Sequence, residues 1–70
     1  MERITAPMPG TVISVDVQAG QDLEAGTLIL ILEAMKMHNE IFCTDGGTVR
    51  EVLVNKGDFV KANDVMVVIA

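Results

Sequence analysis

Apolar positions along the chain fall into two recurring patterns. From Thr11 to Val17, Ile13, Val15 and Val17 alternate with Ser14 and Asp16, the period of a strand with one face buried. Arg50–Val54 reads as a strand of the same kind, with Leu53 spoiling the alternation. Thr27–Leu32 and Val65–Ile69 are instead continuous apolar runs, as expected for strands buried on both faces. Turn-forming residues punctuate the runs at Pro7-Met8-Pro9-Gly10, Ala19-Gly20, Gly26, Asp45-Gly46-Gly47, Lys56-Gly57 and Asn63-Asp64. Short strands at this spacing predict an all-β sandwich or flattened barrel. Closing the sheets removes exposed edges, which a chain this apolar needs to stay soluble.

The pattern also repeats. Shifted by 37 residues, the chain lies over itself without a gap: Ile4 on Ile41, Gly10 on Gly47, Thr11 on Thr48, Val12 on Val49, Val15 on Val52, Val17 on Val54, Gly20 on Gly57 and Ala25 on Ala62. Apolar meets apolar between them, with Leu23 on Val60, Leu28 on Val65, Leu30 on Val67 and Leu32 on Ile69. Gly26 falls on Asn63, and these two residue types most readily take a left-handed backbone. Two copies are too few for a solenoid. They suit one closed, pseudo-two-fold domain spanning 1–70, with one repeat at about 4–33 and the other at about 41–70, neither able to bury its apolar face alone.

Glu33-Ala34-Met35-Lys36-Met37 disagrees locally, because all five are good helix formers. The segment is too short for an isolated helix. It lies between Leu28–Leu32 and Glu40–Phe42, at the join of the repeats, so a hairpin turn is the simpler expectation.

Composition narrows the function. The net charge of −5 and a pair of aromatics, Phe42 and Phe59, argue against nucleic acid, which calls for basic surfaces and stacking rings. They also disfavour an anionic membrane surface, and the apolar run Leu28–Leu32 is too short to cross a bilayer. No signal-peptide pattern precedes Gly10. A lone cysteine, Cys43, forms no intramolecular disulfide, fits a reducing, cytoplasmic setting and is read as a small buried hydrophobe. His38, Glu40 and Cys43 lie too close along one strand, and lack a fourth ligand, for a metal site. One histidine, no evident carboxylate pair and no phosphate loop leave no support for a small enzyme. No catalytic and no metal-binding residue is expected.

The remaining chemistry sits at the repeat junction. Surface turns favour Gly, Asn, Asp and Ser; this one offers Met35 and Met37 around Lys36. Exposed thioethers cost solubility unless a partner reads them, and methionine is flexible and polarisable enough to be read. A lysine amine on its long stem becomes nucleophilic when deprotonated, and a turn tip can carry it into the active site of a modifying enzyme.

Ala34-Met35-Lys36-Met37, preceded by Glu33, resembles the attachment motif of the biotinyl domains of biotin-dependent carboxylases, decarboxylases and transcarboxylases. Ala6-Pro7-Met8-Pro9-Gly10, Met37-His38-Asn39-Glu40-Ile41 and Asp45-Gly46-Gly47 extend the likeness over nearly the whole chain. The resemblance implies a flattened barrel of two four-stranded antiparallel sheets (a barrel-sandwich hybrid) with biotin in amide linkage to Lys36 on an exposed hairpin. It implies that Met35 and Met37, with Ala34, are read by biotin protein ligase and the carboxylating partner, and that Glu33 keeps the wrong modifying enzyme away. A biotin carboxylase would load the carrier and a carboxyltransferase unload it.

Two departures stand out. Many members have Ala-Pro where this chain has Cys43-Thr44, which is expected to loosen that turn. No insertion resembling the protruding thumb of bacterial acetyl-CoA carboxylase carriers is present, so the thumbless type is expected. The alternatives are a lipoyl-type carrier, against which the methionine on both sides of Lys36 speaks, and an unmodified interaction or adaptor module, which leaves the Met-Lys-Met tip unexplained. Under the 37-residue shift Lys36 maps just past Ala70, so a two-fold fold is expected to place the chain ends away from Lys36.

Overall fold

The computed structural model describes all of residues 1–70. Eight strands form: β1 (Glu2–Thr5), β2 (Gly10–Val15), β3 (Asp22–Leu23), β4 (Leu28–Ala34), β5 (Met37–Phe42), β6 (Gly47–Val52), β7 (Phe59–Val60) and β8 (Val65–Ile69). They pair antiparallel into two four-stranded sheets, ordered β1-β8-β6-β3 and β5-β4-β2-β7. The 37-residue shift turns β1 into β5, β2 into β6, β3 into β7 and β4 into β8. It therefore converts one sheet order into the other, and the sequence repeat is a structural pseudo-two-fold.

The core has the same symmetry. Its cluster of 15 buried residues contains seven pairs related by the shift: Ala6/Cys43, Val12/Val49, Val17/Val54, Leu23/Val60, Ile29/Met66, Leu30/Val67 and Leu32/Ile69. The remaining member, Ile4, has its counterpart Ile41 half-buried against the cluster. Each sheet takes two strands from each half, so neither half is dry without the other. The turns match as well, with Gly26 at φ +84° and Asn63 at φ +72° both left-handed.

The strand expectations need adjusting in three places. β2 ends at Val15 and β6 starts at Gly47, so the expected ends at Val17 and start at Arg50 shift. Bulges between Val12 and Ser14 and between Val49 and Glu51 put Val12 and Val49 into the core and leave Ile13 half-exposed. Leu53 is 51% exposed and faces water like its counterpart Asp16. Finally, β4 is not buried on both faces: Ile31 is half-exposed and Glu33 exposed, because two stacked sheets have only one inner face each. Val68 is nearly buried on the outer face of β8, where Arg3 and Glu51 flank it in register and can lay their stems over it.

Cys43-Thr44 does not loosen its turn. Cys43 exchanges backbone hydrogen bonds with Gly26 (3.0 Å) and Thr27 (3.0 Å), as Ala6 does with Asn63 (2.7 Å) and Asp64 (2.9 Å). The Cys43 thiol, buried as expected, also donates to the Glu24 carbonyl at 3.2 Å. Thr44 has an N–H that Pro7 lacks. That N–H donates to Glu2 Oε2 at 2.8 Å, and the Asp45 N–H donates to Oε1 at 3.2 Å. These backbone donors, Thr44 first, hold the Glu2 carboxyl below the usual range, against a smaller opposing effect of burial.

The same clamp places the chain ends. Thr44 lies two residues beyond the end of β5, and β5 runs about 17–20 Å from the Met35–Lys36 turn. In a molecule of 30 × 19 × 18 Å, Glu2 is therefore held at the far end from Lys36. Ala70 exchanges backbone hydrogen bonds with Thr48 (3.0 and 2.8 Å), the pseudo-symmetric image of the pairing of Glu33 with Thr11 beside the turn.

Two outcomes test this arrangement. Leu32→Ala should cost about 2–5 kcal/mol of stability, whereas Leu53→Ala should change it by less than about 0.5 kcal/mol, both read from urea unfolding. Glu2→Gln should cost less than about 1 kcal/mol near neutral pH. Because the folded-state pKa of Glu2 is lowered, its contribution is present above the ordinary glutamate range and lost as pH falls through the lowered value. The gap between wild type and Glu2→Gln should therefore close in acid; a gap that persists would show that the carboxylate charge is irrelevant.

Candidate functional site

The β4–β5 hairpin carries every site residue that the sequence singles out. Ala34 pairs directly with Met37, leaving Met35 and Lys36 as a two-residue loop. Both have positive φ, +53° and +63°. A two-residue hairpin with two positive φ values is the type I′ pattern, whose twist matches that of the flanking strands and which normally takes Asn-Gly. The expected hairpin therefore replaces the helix that local propensity favours. Neither Met nor Lys is suited to the left-handed region, which costs an ordinary L residue roughly 1–2 kcal/mol. Such strain persists only where the surroundings over-determine the conformation.

Those surroundings are visible directly below the turn. β4 contributes Leu32 and Ala34 inward, both buried, while the hairpin is registered against β2 through Glu33 and Thr11. Gly10 makes this close approach possible. A Cβ there would collide with the Glu33 carbonyl oxygen and crowd the Ala34 Cβ at 3.2 Å. Its counterpart Gly47 is pressed in the same way against Ala70. Asn39 of β5 donates its side-chain amide toward the carbonyls of Met37 (3.3 Å) and Leu32 (3.4 Å), adding a bridge between the hairpin strands.

At the tip, Met35 is 88% and Met37 67% exposed, so neither is a core residue. Lys36 is exposed and no carboxylate lies within ion-pair distance of its Nζ. Glu33 is exposed and faces His38 across the strands, with Oε2 3.6 Å from Nε2. Ala34 is buried, so its small side chain lets the strand turn over Gly10, and any larger residue would meet β2. Met8 is half-buried against the core, a packing residue. Gly10, His38 and Asn39 are not among the site residues that the sequence pattern singles out. The coincidence of Gly10 with Gly47 under the repeat was the signal for Gly10. A two-residue turn at Met35–Lys36, once assumed, places His38 opposite Glu33 by counting.

Chemically, the hairpin offers one free primary amine at the apex of a stiff support, with two thioethers beside it. The amine is not held by any charge partner, so a modifying enzyme need not break an ion pair to reach it. An acyl group joined there would stand clear of the sheets.

Known proteins carry the same arrangement of sequence and fold. The sequence profile of the family described as biotin-requiring enzyme matches residues 2–69. The biotin carboxyl carrier protein of Streptococcus mutans is 45% identical over 65 residues, 93% of this chain and 50% of that protein. The gamma subunit of methylmalonyl-CoA decarboxylase from Veillonella parvula is 48% identical over 68 residues, 97% of this chain and 53% of that subunit. The chain thus spans about half the length of these relatives. Among solved structures, the urea carboxylase of Kluyveromyces lactis superposes with a TM-score of 0.90 at 32% identity, over 99% of this chain and 6% of that one.

The strain at the tip has a measurable consequence. Lys36→Gly should be more stable than Lys36→Ala by about 1 kcal/mol, since only glycine takes the positive φ freely. Equal melting temperatures for the two variants would show that the turn relaxes out of the left-handed region in solution.

Proposed function

The chain belongs to the biotin-requiring enzyme family, and on that premise we propose that it is a biotin carboxyl carrier domain with Lys36 as the attachment residue. The observation that carries this reading is an unpaired lysine amine at the apex of a strained two-residue hairpin, between two exposed methionines. The residues present fit the group: the amine is exposed, the turn is closed by the pairing of Ala34 with Met37, and no carboxylate on the chain pairs with Nζ.

Lys36 would hold the group: its deprotonated Nζ would attack the acyl carbon of an acyl-adenylate supplied by a biotin protein ligase, forming the amide C–N bond as the acyl–phosphate bond breaks, with AMP leaving and the amine giving up a proton. Biotin, when bound, supplies the ring that carries the carboxyl group. Every other contribution belongs to the chain. The lysine stem extends the arm, the type I′ turn fixes its base, and Met35 and Met37 offer contacts at which a partner can grip. The domain supplies no catalytic group of its own; a biotin carboxylase loads it and a carboxyltransferase unloads it, in the cytoplasm. Tethering makes each transfer intramolecular and raises the local concentration of the arm, to the millimolar order for short flexible linkers. A stiff tip matters because a mobile one would lose binding free energy to its own ordering. A segment joined at Met1 or Ala70 would leave from the end remote from Lys36, keeping the hairpin clear.

Co-expression with a biotin protein ligase should add the mass of one biotinyl group to the intact chain and make it bind streptavidin. Lys36→Arg should abolish both while leaving the melting temperature within a few degrees of wild type. A lipoyl mass increment, or biotin on Lys56 or Lys61, would defeat the proposal.

A further inference from the structure

The pseudo-two-fold gives the chain an internal control. Its two outer sheet faces share one backbone design, so where their side chains diverge, something other than folding asks for the difference. On the outer face of β5-β4-β2-β7 stand Phe42, Leu28, Ile31, Ile13 and Phe59, all half-exposed or exposed and none of them in the core cluster. Their counterparts on the other sheet are Thr5, Val65, Val68, Arg50 and Asp22. Three apolar residues, two of them the chain's only aromatics, thus replace polar or charged ones, and all three changes fall on the sheet that ends in Lys36. Phe59, 66% exposed, is the clearest case: its counterpart Asp22 accepts a hydrogen bond from Thr48 Oγ1 at 2.7 Å, while Phe59 lies opposite Thr11 with nothing comparable to do.

The patch joins the hairpin. His38, Glu33, Thr11 and Phe59 form one register row across the four strands, the first outward row beneath the Met35–Lys36 turn. On the next row Ile31 pairs with Glu40 and with Ser14, and Ile13 stands in the bulge beside Ser14. We infer that this face is where the enzyme that acylates Lys36 docks, an inference that rests on the reading of Lys36 as attachment site. Such an enzyme must hold the hairpin while the amine attacks, and Met35 and Met37 alone present little area against the roughly 800 Å² per partner of a standard interface. The face extends that contact without a break. Ile31 and Ile13 on the central strands and Phe59 on the edge strand suit anchoring, and Glu33 and Glu40 among them call for a partner that sets basic groups beside an apolar surface. A second copy of this chain is a poor occupant, since an isologous contact across this face buries Glu33 and Glu40 of both copies in one interface with no lysine or arginine on the strands of the face to meet them.

The test uses substitutions already tolerated at equivalent positions. Phe59→Asp and Ile13→Arg copy the residues of the opposite sheet, and Phe59→Ser removes the ring without adding charge. Arg50→Ser and Asp22→Asn on the opposite face serve as controls. Steady-state biotinylation of the full chain by purified biotin protein ligase, with biotin and ATP, should show KM for the chain raised about tenfold in the face variants, with kcat and melting temperature unchanged and the controls like wild type. Wild-type kinetics in all three face variants would overturn the docking face while leaving Lys36 as the attachment site. No biotin uptake by the wild-type chain would defeat the attachment reading and this inference with it. A wild-type dimer in sedimentation that Phe59→Ser dissociates would assign the face to self-association instead.

Discussion

Leu32 from one half and Ile69 from the other occupy equivalent places in a single core, and nearly every other core residue is likewise one of a pair. The two short halves interleave, each giving two strands to both sheets, and neither becomes dry without the other. At 70 residues a chain has little surplus stability, because small domains bury a smaller fraction of their surface. The shared core is what allows such a chain to carry a conformational cost elsewhere.

That cost is placed at the tip. Met35 and Lys36 sit in the left-handed region without the Asn or Gly that a type I′ turn prefers. Registry of β4 with β2, the burial of Ala34 and the close approach allowed by Gly10 hold the hairpin closed from below. At the equivalent place on the other sheet Ala70 lies against Gly47 and Thr48. One fold thus provides a rigid presenting end and, opposite it, an end where the chain can be joined to something else.

Symmetry also separates structural residues from the rest. Positions conserved between the halves, such as Gly10 and Gly47 or Val12 and Val49, serve the backbone and the core. Outer-face positions that are apolar in one half and polar in the other do not serve the core, since neither version reaches it. The replacement of Asp22 by Phe59, and of Arg50 by Ile13, is of this second kind. Cys43-Thr44 shows the limit of the argument: there the difference is absorbed locally, by a glutamate that accepts the hydrogen bond of the extra N–H.

Apolar periodicity and the 37-residue repeat were enough to determine an all-β, two-fold domain, because alternation and turn chemistry are local properties of the chain. The Met-Lys-Met tip at the repeat junction was legible too, since no ordinary surface turn uses those residues. Bulges were not legible: a one-residue slip at Val12–Ser14 reverses which side chains enter the core, and only pairing with β4 decides it. Nor was the exposure of Leu53, the clamp of Glu2 on Thr44, or the meeting of Glu33 with His38, all of which join residues through the register of strands. Five helix formers became a strained hairpin for the same reason. Local preference is worth tenths of a kcal/mol per residue, whereas the burial of β4 in the shared core is worth several, so tertiary packing chose the conformation that the segment alone would refuse.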